Sequence, residues 1–516
     1  MALAKSYCIS LIGLAGTLIE VEADISANLP GFVLVGLPDA SLSEATARVR
    51  AATANSGAPL PGRKITVNLS PASVPKFGSA FDLAIAITAL AADNKLKDPA
   101  ISHTVYLGEL GLDGSVRAIN GILPAVMAAK NAGFTRVVVP AENLDEASLV
   151  DGLELIGVSH LTQVLRLHGS DVKLVETKMH QRPKAEAKQQ AALDIADIHG
   201  QDAAIEALIV AAAGGHHLLM VGPPGVGKTM MAERLPSLLP ELELEQALET
   251  TAIHSVAKNR GQVGSNLITA PPFEAPHHSA SAASLIGGGL GMPNPGIVSL
   301  AHNGILFLDE APEFQTPALE SLRQALESGQ VSIARSAGIA KYPSRFQLVL
   351  AANPCPCGHA LSVTRSCICT SSAKLRYLNK LSGPLLDRVD IRIQVRAVNT
   401  AQIELSKRSE KLTSAQAKAK VVAARELLGS RLKPLGYSQV SHVPPVELRK
   451  SLAPPKSVTR NLDAALAKGR LSMRGYDRCL RIALSVAAIA GSDVIREEDL
   501  DMSYLLRGSD NLMAVA

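Results

Sequence analysis

The sequence predicts an α/β fold, and three observations carry that expectation. Between residues 191 and 395, short and wholly apolar runs alternate with helical ones, the pattern of a parallel sheet covered on both faces. One such run, 218–221, opens into a glycine-rich loop and then a helix. Another, 305–308, ends in two adjacent carboxylates. Either side of this region the patterning changes. In chain order, residues 65–69 (ITVNL) alternate apolar and polar with period two, as a half-buried strand does. Residues 104–107 and 137–139 read the same way, with a turn at Leu112-Asp113-Gly114 between them. Residues 41–54 and 122–132 are alanine-rich and helical, so 1–168 is expected to be an α+β domain. Residues 169–190 are polar, contain Pro183 and read as a linker. Residues 396–516 are expected to be helical, with Ala/Leu periodicity at 415–428, 460–468 and 477–490.

Composition bounds the function classes. A chain of 516 residues predicts two to four domains of about 150 residues each. With 47% hydrophobic and 19% charged residues, disorder throughout the chain is excluded. A net charge of +4 excludes a polycation and leaves nucleic-acid contact to local patches. The longest apolar stretches, 83–92 and 203–213, are too short to span a bilayer, and Glu206 interrupts the second. Residues 1–10 carry one Lys and no apolar core leading to a cleavage site. A soluble cytoplasmic chain with no membrane partner is therefore expected. Six cysteines do not make a disulfide framework.

The loop after 218–221 reads Gly222-Pro223-Pro224-Gly225-Val226-Gly227-Lys228-Thr229, which is G-x4-G-K-T between a strand and a helix. Its glycines let backbone N–H groups curl around a β-phosphate, and the helix start favours negative charge. Lys228 is expected to reach the β/γ oxygens, and Thr229 to offer its hydroxyl to Mg²⁺. The alternative is a glycine-rich turn with a solvated lysine. Asp309 fits Mg²⁺ binding and Glu310 fits the base that polarises an attacking water; solvated acids capping a strand are the alternative. A third apolar run, 346–352, ends in Asn353-Pro354, placing an amide where it can hold that water. Alone, Asn-Pro is only a turn signal.

The order of these motifs resembles an AAA+ ATPase, and further segments narrow the resemblance. Pro276-His277-His278-Ser279-Ala280-Ser281, Leu285-Ile-Gly-Gly-Gly289, Asn353-Pro-Cys-Pro-Cys-Gly358 and Leu381-Ser-Gly-Pro-Leu-Leu-Asp387-Arg388-Val-Asp390 resemble magnesium-chelatase-like ATPases of the ComM/YifB type. VEADISANLPGFVLVGLPDASLSEA and VNLSPASVPKFGSAFDL extend the likeness to the N-terminal region. The resemblance implies a hexameric DNA motor, driven by ATP with Mg²⁺, that acts on branched or single- and double-stranded DNA during natural transformation, with recombination proteins as candidate partners. A motor subunit of a metal chelatase and a protein-remodelling ATPase are the rival readings. The resemblance also implies Asn353 as sensor 1, Arg388 as an arginine finger reaching the neighbouring subunit, and Arg474 as sensor 2 on a helical lid. Arg474, Arg478 and Arg481 share one helical face; for the last two, a solvated basic face is the alternative. Residues 276–291 resemble a helix-2 insert, and 331–345 resemble the hairpin before sensor 1. Arg335 and Lys341, expected near the hairpin tip, are candidate DNA contacts. His277 and His278 are expected to be structural or pore-loop residues and form no metal pair by themselves.

The N-terminal domain resembles the S5-like proteolytic domain of Lon, with its dyad missing. Aligning Lys76 and Gly78 puts Ala80 at the nucleophile position, beside Ser79, and Ala125 where the catalytic lysine belongs. Without an amine to activate a hydroxyl, peptidase activity is not expected. Finally, Cys355, Cys357, Cys367 and Cys369 supply four thiols within 15 residues, enough for a structural Zn²⁺ site. Their C-x-C spacing is less usual than C-x2-C, and four reduced, unligated cysteines are the alternative.

Overall fold

A computed structural model describes residues 3–27, 29–36, 44–175, 193–257, 266–289, 293–335, 338–361, 365–399, 401–402, 404 and 411–508. Sequence readings that fall partly outside these residues include the first helix (41–43), the linker (176–190), the insert (290–291), the hairpin turn (336–337) and the helical C-terminal region (400, 403, 405–410 and 509–516).

The first sheet has seven strands and mixed direction. Ala4–Ile12 and Ala15–Ser26 form an antiparallel pair, and Lys64–Ser70 adds antiparallel to the second of them. Gly31–Val35 runs parallel to Lys64–Ser70 at one edge. On the other side of Ala4–Ile12 come Thr104–Tyr106, Arg136–Pro140 and Glu154–Val158, all parallel. The alternation read at 65–69 is real burial: Ile65, Val67 and Leu69 face the core. Helix Asp82–Ala92 covers that face, where Ser6 meets Thr88, and helix Ile122–Asn131 covers the opposite one, where Ala128 meets Gly16 beside Ile9.

The second sheet is wholly parallel, in the order Phe273–Glu274, Ile305–Leu308, Gln347–Ala352, Leu218–Val221, Ile391–Gln394. Because strand side chains alternate in direction, each strand serves two cores. Leu218, Met220, Ile305, Phe307, Val349 and Ala351 point into one, while Leu219, Val221, Leu306, Leu308, Leu348 and Leu350 point into the other. Burial on both faces explains why these runs are continuously apolar rather than alternating.

Helices Ser414–Leu432, Arg460–Ala467, Met473–Ile489 and Glu497–Arg507 surround a separate core that includes Leu428, Leu462, Cys479, Leu480 and Leu500. The third helix starts a turn earlier than its apolar periodicity, at Met473. Ser472 caps it, its Oγ accepting from the Gly475 amide at 3.1 Å.

This helical region is fastened to the second sheet by a buried carboxylate. Asp390, just before the edge strand, accepts from His216 Nδ1 at 3.1 Å and pairs with Arg478 and Arg481. Ser485 Oγ completes the set, 2.8 Å from His216 Nε2. Arg478 and Arg481 are therefore not a solvated face.

The N-terminal region docks on helix Leu244–Val256. Ala252 joins its core, and the Gly121 amide donates to Ser255 O at 2.8 Å. Glu146 is buried at this junction. Burial pushes its carboxyl from the ordinary 4.5 up to about 7, against the Ser255 hydroxyl and Leu123 amide, which favour the charged form. The folded state thus binds more protons than the unfolded one, and the group costs stability as pH rises through that window. Glu146→Gln is expected to raise the thermal midpoint at pH 8 and change it little at pH 4; thermal denaturation at both pH values checks this.

Candidate nucleotide site

Three adjacent strands end at one place. The register sets Val221 beside Ala352 and Leu308 beside Leu350, so Gly222, Asp309 and Asn353 follow from neighbouring carboxyl ends. In open parallel sheets this is where ligands bind. The loop 222–229 needs its glycines: Gly225 and Gly227 have φ +77° and +90°. A Cβ on Gly222 would lie 2.3 Å from Val395 O. Lys228 and Thr229 then begin the helix Lys228–Arg234.

The structure brings together Lys228, Thr229, Asp309, Glu310 and Asn353. Lys228 Nζ donates to Gly222 O at 2.7 Å, Pro223 O at 2.9 Å and Asn353 Oδ1 at 3.1 Å. Burial pushes its pKa down, against the opposing charges of Asp309 and Glu310. Thr229 Oγ1 donates to Asp309 Oδ2 at 2.6 Å, and Asp309 Oδ1 accepts from the Glu310 amide at 2.8 Å. Glu310 has φ +50°, unusual for a side chain of its size, and follows directly from the strand. Donor set and charge fit a magnesium–nucleotide complex: a hydroxyl and a carboxylate oxygen lie within 2.6 Å of each other, beside a lysine and two positive-φ glycines.

His278 also belongs here, and its sequence gave no such signal. Its Nδ1 lies 3.4 Å from Glu310 Oε2, and its ring packs against His277 with centroids 4.0 Å apart. A residue of the 276–291 segment thus touches the carboxylate expected to act as base. A second unread feature is a cavity of about 440 Å³ lined by Ile195, Ile198, Ile205, Lys411, Val486 and Ile489. Asp202, which also lines it, follows Gln201, whose amide donates to Arg396 O at 2.8 Å and to Val226 O of the loop at 3.5 Å.

Other sequence-predicted residues lie apart from this group. Arg388 pairs with Glu327 and donates to Pro384 O at 2.6 Å. Arg474 pairs with Asp387 and leaves its side chain 77% exposed. Among the described residues, neither arginine bonds to the Lys228 cluster. Arg335 and Lys341 are exposed on the hairpin of Gln330–Arg335 and Gly338–Pro343. Arg335 is paired with Gly338 next to the turn, and its Nη2 lies beside Gly288 of the insert. Lys341 is not at the tip: it pairs with Ser332, and its backbone packs on Gly13 of the first sheet. Antiparallel register moves it three residues back from the turn.

The family described as magnesium chelatase, subunit ChlI, matches residues 194–403, and its C-terminal counterpart matches 411–507. The family described as subunit ChlI of Mg-chelatase matches 21–143. Competence protein ComM of Haemophilus influenzae is 39% identical over 503 residues, covering 97% of this chain and 96% of the relative. Protein YifB of Escherichia coli is 38% identical over 515 residues, covering 99% and 98%. The chain belongs to the magnesium-chelatase-like AAA+ proteins of the ComM/YifB type. An uncharacterized protein of Mycobacterium tuberculosis is 49% identical over 495 residues, 95% of this chain and 96% of the relative.

Membership in this AAA+ family implies use of a nucleotide and Mg²⁺. In this magnesium-chelatase-like protein the N-terminal region is similar over 116 residues to Lon protease 2 of Bacillus subtilis, at 34% identity and over 22% of this chain and 19% of the relative. Around the position aligned with a protease nucleophile, Lys76 is buried and donates to Pro71 O, and Ser79 pairs with Glu109. Ala125 is buried inside helix Ile122–Asn131. Among the described residues, no helix is long and apolar enough to cross a membrane.

Proposed function

We propose that this chain is a cytoplasmic, homohexameric ATPase that translocates DNA as a branch-migration helicase in the homologous integration of DNA during natural transformation. Its parts are a Lon-like domain without a dyad (1–168), a linker (169–190), the AAA+ core (191–395) and a helical lid (396–516). The observation that carries the hydrolysis reading is the convergence of Lys228, Thr229, Asp309, Glu310 and Asn353 at three strand ends. The DNA reading is supported by similarity to a protein named for competence and by the exposed Arg335 and Lys341.

When bound, Mg²⁺ and ATP supply a transferable γ-phosphoryl group and a divalent charge. Backbone amides of 222–229 would cradle phosphate oxygens, Thr229 and Asp309 would hold the metal, and Lys228 would set its positive charge against the negative β/γ oxygens. The cavity lined by Ile195, Ile198, Ile205 and Ile489 would take the purine base. Asn353 holds the attacking water while Glu310 orients it and accepts its proton. Arg388 crosses to the neighbouring subunit's γ-phosphate and Arg474 reaches over from the lid, so hydrolysis requires a ring. The four cysteines hold a structural Zn²⁺.

Glu310→Gln is expected to bind ATP normally and hydrolyse it at least about 100-fold more slowly, the lower range for losing a general base. Mixing Glu310→Gln with Arg388→Ala subunits is expected to restore part of the activity, measured as phosphate release. Restoration requires that the arginine and the base act across an interface. The DNA reading is tested with purified protein, ATP and forked DNA at low salt. ATP-dependent unwinding is expected; a formed hexamer that neither binds nor unwinds the fork overturns it.

A further inference from the structure

We propose that Cys355, Cys357, Cys367 and Cys369 bind one Zn²⁺ whose coordination loop braces the phosphate-binding loop, so that metal and nucleotide stabilise each other. The bracing rests on the reading of 222–229 as the nucleotide loop; the metal site itself stands without it.

The sulfur positions carry the first step. All four ligand atoms lie within 4.8 Å of one another. Cys355 and Cys357 are 3.4 Å apart, and each is 3.7 Å from Cys367. A disulfide would put two sulfurs at about 2.05 Å. A tetrahedral site with Zn–S bonds of about 2.3 Å has sulfur–sulfur edges of about 3.8 Å. The three spacings among Cys355, Cys357 and Cys367 are close to the edges of a ligand shell, Cys369 lies within 4.8 Å of each, and all four cysteines are free thiols.

The backbone around them is arranged in the same sense. Gly358, at φ +79°, closes a turn in which its amide donates to Cys355 O at 2.9 Å. Backbone amides of His359 and Ile368 point to the Cys357 sulfur, and that of Ala360 to Cys355. Amide donors of this kind fix ligand orientation and favour the thiolate form a metal requires. Four soft sulfur ligands in a tetrahedron select zinc or an iron–sulfur centre. Four protein ligands leave no open position, so the role is structural.

The site is coupled to its neighbour by a close approach. Cys355 is buried two residues beyond Asn353, the residue that accepts from Lys228. A Cβ on Gly358 would lie 2.7 Å from both Cδ and Cγ of Pro224. The cysteine turn therefore rests directly on the phosphate-binding loop at a point where only a hydrogen fits. Holding residues 355–369 on one ion fixes that contact and the position of Asn353 together. Releasing the ion lets both relax.

The test uses the full-length protein. Metal analysis of unchelated material is expected to find one zinc per chain and no iron. Replacement by Co²⁺ is expected to give the intense visible bands of a tetrahedral thiolate site. Cys367→Ser/Cys369→Ser, both at partly exposed positions, is expected to lose the metal while keeping its far-ultraviolet circular dichroism. A fluorescent ATP analogue is then expected to bind the zinc-stripped or doubly substituted protein at least about fivefold more weakly, the lower end of typical coupling between linked sites. Linkage requires the converse: saturating nucleotide raises zinc retention against a chelator by the same factor. Far less than one zinc, or bound iron, overturns the metal assignment. One zinc with unchanged nucleotide affinity overturns the brace and leaves the nucleotide reading standing. Stoichiometric zinc in a protein that binds no nucleotide overturns both the brace and that reading, but not the metal site.

Discussion

Asp390→Ala is expected to destabilise the protein by about 3–5 kcal/mol, the cost of removing one partner from a buried charge network. The carboxylate is buried and shared by Arg478, Arg481 and His216, and the His216 ring is in turn fixed by Ser485. Alanine leaves two largely buried guanidinium groups facing each other with no counter-ion, and their mutual repulsion adds to the lost hydrogen bonds. Because Asp390 precedes the strand beside Leu218–Val221, and the arginines sit on helix Met473–Ile489, the loss loosens the helical C-terminal region from the sheet. Chemical denaturation followed by circular dichroism measures the effect; a change below about 1 kcal/mol would show that the network is not buried charge. The pH dependence has a definite sign. The two arginines and His216 hold the Asp390 carboxyl well below its ordinary range despite its burial. Its stabilisation is therefore complete above the ordinary unfolded value of about 3.9 and is lost as pH falls below that. His217 adds a second acid-sensitive element. Burial pushes it from 6.5 down to about 4, and its Nδ1 accepts the Leu348 amide at 3.0 Å, so it must be neutral. Its contribution declines as pH falls from about 6.5 towards 4.

Lys228→Ala is the larger effect on activity. It is expected to abolish measurable binding of a fluorescent ATP analogue and to cut hydrolysis by at least about 100-fold, the scale of removing one preorganised charge from a phosphate site. Its three N–H donors are already held by Gly222 O, Pro223 O and Asn353 Oδ1, which fix the ammonium at the loop, and a phosphate oxygen has only to replace one of these acceptors. Its contrast with Glu310→Gln separates binding from chemistry. If Lys228→Ala binds nucleotide as tightly as wild type, the phosphate site lies elsewhere.

The parts of this molecule that could be read in its sequence are those in which neighbouring residues do one job. The loop 222–229, Asp309 with Glu310, and Asn353 each follow their own strand, so strand pattern and chemistry appear in one short window. The alternation at 65–69 and the apolar runs at 218–221 and 305–308 were legible for the same reason. What escaped depends on residues distant in the chain. His278 meets Glu310 across a segment whose local pattern says nothing of a carboxylate. The cavity draws Ile195, Lys411 and Ile489 from three remote regions. Arg478 and Arg481 carry the same local signature whether solvated or buried; Asp390, 88 and 91 residues away, makes the difference. The start at Met473 was missed because Gly475 weakens the helical pattern, while the cap that compensates lies at Ser472.

The same network orders events during synthesis. The seven strands of the first sheet all lie before residue 159, so that sheet can close as soon as it leaves the ribosome. His216 must wait for Ser485, 269 residues later. At about 5–20 residues per second that is roughly 13–54 s, and for roughly 4–18 s within it Asp390 has been made but Arg478, 88 residues later, has not. The second sheet is thus secured later in synthesis than the first, because the residues that fasten its edge strand come from the C-terminal helices.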